Sequence, residues 1–127
     1  MVSQSLKSDT VKILLVEDDP VWQEGIESLL NSHSDFRLVE TVDNYEAALD
    51  AFERLNPDCV LLDWKIKGER DGLCVGNTLL EKGFLPERIV LISGSPVSSI
   101  PKHAFWSVGK LQIASDLIPL LESVTKN

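Results

Sequence analysis

An open α/β fold, a five-stranded parallel sheet with helices on both faces, is what this 127-residue chain predicts. Three observations predict it. Short apolar runs alternate along the chain with stretches whose apolar residues recur at helical spacing, the pattern of strands buried on both sides by crossover helices. Two of those runs, ILLV at Ile13–Val16 and CVLL at Cys59–Leu62, lead straight into acids, Glu17-Asp18-Asp19 and Asp63. In open sheets of this kind ligands sit beyond the carboxyl ends of the strands, so acids delivered there mark a site. Finally, 43% hydrophobic and 25% charged residues in a chain of this length give one globular domain with a real core.

Taken in order, Val11–Val16 is the first strand. Asp19 then caps a helix that has Pro20 at its first position, and Trp22, Ile26, Leu29 and Leu30 form one face of it. Phe36–Val42 is the second strand. Asp43-x-x-Glu46 has the form of a capping box for a second helix, with Tyr45, Ala48, Leu49, Phe52 and Leu55 on its apolar face. Asn56-Pro57-Asp58 stops it before the third strand, Cys59–Leu62. After the Asp71-Gly72 turn, a third helix over Leu73–Lys82 closes on Gly83 as a left-handed cap. Arg88–Ser93 is the fourth strand and Phe105–Val108 the fifth. A last helix covers Asp116–Thr125 with Ser115 as its N-cap, which leaves Pro119 at the edge of the first turn, where a missing N–H costs little.

Composition removes several classes of function. Twelve basic residues against 20 acidic ones give a net charge of −8, which repels a phosphate backbone and argues against nucleic-acid binding by this domain. No apolar run approaches the length of a membrane span, and the polar leader MVSQSLKSDT, expected to be flexible over residues 1–10, has no signal-peptide core. The two cysteines make no disulfide framework, and Cys59 reads as a small core residue. A cytoplasmic protein with one domain over residues 11–127 is expected.

The acids carry the chemistry. A lone strand-end aspartate is most often a cap or turn residue. Acids delivered to one rim from Glu17-Asp18-Asp19 and from Asp63 would repel one another, and a divalent cation relieves such a conflict. VEDDP after the first strand, LLD after the third, Ser93 ending the fourth and Lys110 after the fifth stand in the order seen in the receiver domains of two-component response regulators. The 30 positions from Asp63 to Ser93 match as well. From about Val11 to Val124 the chain resembles that CheY-like family.

The resemblance implies a flavodoxin-like sheet of order 2-1-3-4-5. It implies that Asp63 accepts a phosphoryl group from a sensor histidine kinase or histidine phosphotransfer protein, forming an acyl phosphate. It assigns Ser93 and Lys110 to the phosphoryl oxygens. For Mg²⁺ it gives Asp18, Asp63 and the backbone carbonyl of Lys65 as direct ligands and Glu17 as a ligand through water. It further implies output through contact with a downstream protein target, a kinase-docking face on the first helix near Trp22 and the loop after strand five, and no enzymatic activity beyond self-phosphorylation and autodephosphorylation.

Three departures from the pattern matter. Ser93 and Lys110 are only 17 positions apart, and SPVSSIPKHA between them has two prolines and no amphipathic repeat, so the fourth helix of the family is expected to be absent or reduced to a turn. The family's switch aromatic, three positions before the lysine, is Ser107 here; either that coupling is lost or Trp106 replaces it through a register change. Lys110 is followed by Leu111 rather than the usual proline, which forfeits the usual cis peptide. Lys65 stands two positions after Asp63, where side chains overhang the phosphoryl group in this family; either its ammonium alters the acyl-phosphate lifetime or it is a solvated surface lysine. These departures keep a second reading open, a pseudo-receiver that binds protein independently of phosphorylation. A haloacid-dehalogenase-like phosphatase would need a DxD motif and a cap domain, and the chain offers neither.

Overall fold

The computed structural model describes residues 10–125. Its sheet comprises β1 (Val11–Val16), β2 (Phe36–Val42), β3 (Cys59–Asp63), β4 (Ile89–Ser93) and β5 (Trp106–Gly109), all parallel in the order β2-β1-β3-β4-β5. Four α-helices flank it: α1 (Pro20–Asn31), α2 (Tyr45–Leu55), α3 (Gly72–Glu81) and α4 (Ile113–Thr125). The leader expected at residues 1–10 lies, apart from Thr10, outside the described residues. Among the described residues no helix is long and apolar enough to cross a membrane.

The period of two along each strand divides the core. Leu14, Val16, Val60, Leu62, Ile89 and Leu91 point to the side of α2 and α3. Ile13, Leu15, Cys59, Leu61, Val90 and Ile92 point to the other side, where α1 and α4 lie. The three central strands are buried on both faces, which is why they read as unbroken apolar runs.

The helix ends follow local chemistry. Asp19 caps α1, its Oδ1 accepting from Val21 N–H at 2.9 Å ahead of Pro20. Asn56 takes the left-handed conformation that ends α2. Gly83, at φ +96°, follows the last residue of the α3 cap; its N–H donates to Leu80 O and that of Phe84 to Leu79 O, which closes the helix in a Schellman motif. Strand and helix bounds otherwise shift from the expected ones by a residue or so at β3, β4, β5 and α3.

Two expectations are corrected. The cap of α2 is Asn44, whose Oδ1 accepts from Ala47 N–H at 2.9 Å; Asp43 is instead drawn to the Lys67 ammonium at 3.1 Å, so the Asp43-x-x-Glu46 box does not form. The last helix begins three residues early, on a 3-10 turn at Lys110–Gln112, and Pro119 therefore lies inside it. Ser115 does not cap; its hydroxyl donates to Gln112 O and to Asp116 Oδ1. The helix tolerates the proline because Pro119 faces solvent while Ile113, Leu117, Ile118 and Leu121 bury the opposite side.

Candidate functional site

Register alone brings the two key acids side by side. Ile13 pairs with Cys59 and Leu15 with Leu61, all four on the α1/α4 face. Two residues further along each strand stand Glu17 and Asp63, and the same stride from Val108 on β5 reaches Lys110. The strands thus carry two carboxylates and an ammonium past the rim of the core on one face.

The electrostatics there are tight. Glu17 is fully buried and Asp63 only 5% exposed. Carboxylate oxygens of Glu17, Asp18 and Asp63 all lie within 4.8 Å of one another. The Lys110 ammonium stands 3.2 Å from Glu17 Oε1 and 3.4 Å from Asp63 Oδ2. Burial, then the charge of Glu17, push the Asp63 carboxyl up to about 7, against the pull of Lys110. Glu17 also organises backbone: its Oε2 accepts from Asp19 N–H at 3.1 Å and its carbonyl from Gln23 Nε2 at 2.7 Å, which moors the start of α1 to the end of β1.

The residues present fit a divalent cation. Glu17 Oε1 is sealed from solvent without a hydrogen bond, and its neutralising neighbour is one ammonium facing two carboxylates. Three hard oxygen donors at this spacing, with a cleft beside them, suit Mg²⁺ with part of its water shell. The cleft measures about 490 Å³ and is lined by Asp18, Trp22, Asp63, Lys65, Ser93 and Lys110, so Asp63 is reached from solvent through it. The Lys65 ammonium rests on the ring of Trp64, 4.3 Å from its centroid.

The β3–α3 connection is held on several sides. The buried indole of Trp64 donates from Nε1 to Asp71 Oδ2, while Asp71 Oδ1 caps α3 by accepting from Cys74 N–H. A Cβ on Gly72 would meet Asp63 O at 2.1 Å, so only glycine lets α3 start this close to the end of β3. Lys67 bridges to Asn44 and pairs with Asp43. Arg70 lies over the Tyr45 ring.

The β4–β5 connection departs from the family pattern as expected. Its only regular element is the 3-10 turn Val97–Ser99. Ile100 and Phe105 cover the sheet where a helix would lie, and the Phe105 ring packs so closely on Gly76 of α3 that a Cβ there would stand 2.4 Å from it. Ser93 ends β4 beside Gly109, and its Oγ accepts from Ser95 N–H at 2.9 Å. Ser107 lies beside Leu91, with its Oγ 3.2 Å from His103 Nε2. No register change brings Trp106 to the site: it is 46% exposed and lines a groove with Leu85 and Arg88 at the other end of the sheet. The peptide before Leu111 is trans, like every described peptide bond.

Sequence reasoning placed Glu17, Asp18, Asp63, Ser93, Lys65 and Lys110 around one cleft, and the structure brings them there. It missed Gln23, whose contact is with a backbone carbonyl and leaves no motif, and the stacking of Lys110 on Trp22, with Nζ 5.0 Å from the ring centroid. Trp22 also walls a second, apolar groove of about 570 Å³ between α1 and α4, with Leu29, Leu111 and Ile113.

Comparison with known proteins agrees with this geometry. The family model described as the response regulator receiver domain matches residues 13–109. A protein-glutamate methylesterase/protein-glutamine glutaminase of Syntrophus aciditrophicus is 30% identical over 75% of the chain and 26% of its own length. The nitrate/nitrite response regulator protein NarL of Escherichia coli is 36% identical over 65% of the chain and 38% of its own length. The chain therefore spans about a quarter to two-fifths of these curated relatives. Among solved structures, the signal receiver domain of a modulated diguanylate cyclase from Desulfovibrio desulfuricans G20 superposes with a TM-score of 0.80 at 25% identity, covering 92% of this chain and 94% of that one. The family match runs from within β1 to the end of β5, across the whole 2-1-3-4-5 sheet and the acids that end β1 and β3, and the chain belongs to the response regulator receiver domain family.

Proposed function

We propose that this chain is a phosphorylatable receiver in which Asp63 takes a phosphoryl group from a histidine kinase or histidine phosphotransfer protein. The observation that carries the reading is the cluster itself: three carboxylates with oxygens within 4.8 Å, one of them the strand-end Asp63 opening on a cleft, and an ammonium 3.4 Å from it. An Asp63 oxygen forms a bond to phosphorus as the phosphorus–nitrogen bond of the donor breaks, and the electron pair stays on the imidazole nitrogen. Lys110 faces the phosphoryl oxygens with its positive charge, and Ser93, once its hydroxyl turns from Ser95, donates to one of them. Bound Mg²⁺, held by Asp18, Asp63 and the Lys65 carbonyl and by Glu17 through water, would offset the charge of the carboxylates and of the transferred group. The raised affinity of Asp63 for a proton, caused by burial and then by the charge of Glu17, accords with this, because a cation relieves a buried carboxylate beside a like charge.

The partner faces follow. The apolar groove between α1 and α4, with Leu111 on its wall at 89% exposure, suits an apolar helix of the phosphodonor and lies against the cleft through Trp22 and Lys110. A cytoplasmic location and output by contact with a downstream protein belong to the same reading. Incubation with acetyl phosphate and Mg²⁺ should add one phosphoryl group, labile to hydroxylamine, to wild type and none to Asp63→Asn.

A pseudo-receiver is favoured by one feature: Ser93 is tied to Ser95 at the start of a connection that has a single 3-10 turn where switching receivers carry a helix. Absence of any mass gain with acetyl phosphate or phosphorylated donors would select it.

A further inference from the structure

We propose that Trp22 is a positioning residue for Lys110, holding its ammonium at the mouth of the cleft where a phosphoryl group arrives. The proposal rests on the phosphoacceptor reading above. Lys110 has a long, flexible stem, and such a side chain sits in one place only where several contacts agree. Here they form a closed circuit. Glu17 Oε1 and Asp63 Oδ2 draw the ammonium inward, to 3.2 and 3.4 Å. The Trp22 indole presents its face on another side at 5.0 Å, within the range where a ring quadrupole attracts a cation.

Trp22 is itself fixed from the same acid. Glu17 Oε2 accepts from Asp19 N–H and the Glu17 backbone carbonyl from Gln23 Nε2, so residues on both sides of Trp22 are tied to the residue whose carboxylate Lys110 faces. The next residue gives no anchorage, because the Leu111 side chain is 89% exposed. With the indole removed, the inward pull of two buried carboxylates is unopposed. The ammonium is then free to settle over Glu17, away from the side of Asp63 that faces the cleft.

The test uses acetyl phosphate, a donor too small to need the apolar groove, on wild type, Trp22→Phe and Trp22→Leu. The Lys110 side-chain methylene protons near Nζ should show an upfield ring-current shift in the wild-type NMR spectrum, reduced in Trp22→Phe and lost in Trp22→Leu. Phosphorylation rates should fall in the same order, by about threefold to tenfold from wild type to Trp22→Leu. Should Trp22→Leu fail to fold, tryptophan carrying one to three fluorines at position 22 keeps the shape and drains the ring face, and the rate should fall stepwise. Unshifted methylene protons in wild type, or a rate indifferent to Leu and to fluorine alike, overturns the proposal. A wild type that takes up no phosphoryl group removes the function beneath it, and the ring-current comparison still decides whether Trp22 holds Lys110.

Discussion

Asp63 owes its chemistry to its neighbours. Its carboxyl is held near pH 7 by burial and by Glu17, whereas in the unfolded chain it titrates in the ordinary range near 4. Between those values the folded state binds the extra proton, so raising the pH through that window removes stability from the metal-free protein. In chelator, the urea midpoint should fall from pH 5 to pH 8, and saturating Mg²⁺ should abolish most of the fall; a midpoint that rises over that range would contradict the assignment. The cysteines offer a second contrast. Burial pushes the Cys59 thiol up to about 12, while Cys74 is exposed on the first turn of α3. A thiol reagent at pH 8 should modify one cysteine per native chain, Cys74, and two only after unfolding.

At the scale of elements, the close approaches around α3 decide what can change. Gly72 lets the helix begin against Asp63 O, and Gly76 receives the Phe105 ring that replaces a helix over the β4–β5 side of the sheet. Gly76→Ala should destabilise by about 1–3 kcal/mol through overpacking, and more than an alanine at the open Gly25, by urea denaturation. Gly72→Ala meets backbone rather than a movable ring, so it should also disturb Asp63 and lower the phosphorylation rate. Pro119 works in the opposite direction. Pro119→Ala restores an N–H to the exposed side of α4 and should stabilise by about 2 kcal/mol, the helical gain of about 3 being reduced because proline also restricts the unfolded chain.

For the molecule as a whole, the site opposes the fold that carries it: three acids gathered at one rim of an already acidic chain. A cation that binds only the folded state reverses this. At a hundred times its dissociation constant, Mg²⁺ should add about 2.7 kcal/mol of stability at pH 8, and Asp18→Ala should lose most of that gain without losing the fold. The same opposition explains why the candidate site could be read before the fold was seen: acids at the ends of apolar strands have no packing reason to be there. Glu17, Asp18 and Asp63 were legible in this way, Ser93 and Lys110 through their place in the family's order, and the missing helix from two prolines and a run without amphipathic period. Gln23 and the Trp22–Lys110 contact were not legible, because each depends on α1 docking against the end of the sheet.

What the sequence determined by itself was everything written in short range. The alternation of strands and helices, the Asp19-Pro20 start, the Asn56 and Gly83 stops and the acids at the ends of β1 and β3 each follow from periodicity or from a few adjacent residues. Only the tertiary structure decided which of two neighbours caps α2, where Asp43 was drawn off to Lys67, and how far α4 extends past Pro119, where core burial outweighed a missing hydrogen bond. It alone placed one ammonium among Glu17, Asp63 and Trp22. The reason is common to all three: when local preferences are nearly balanced, a charge or an apolar face distant in the chain but close in space supplies the difference.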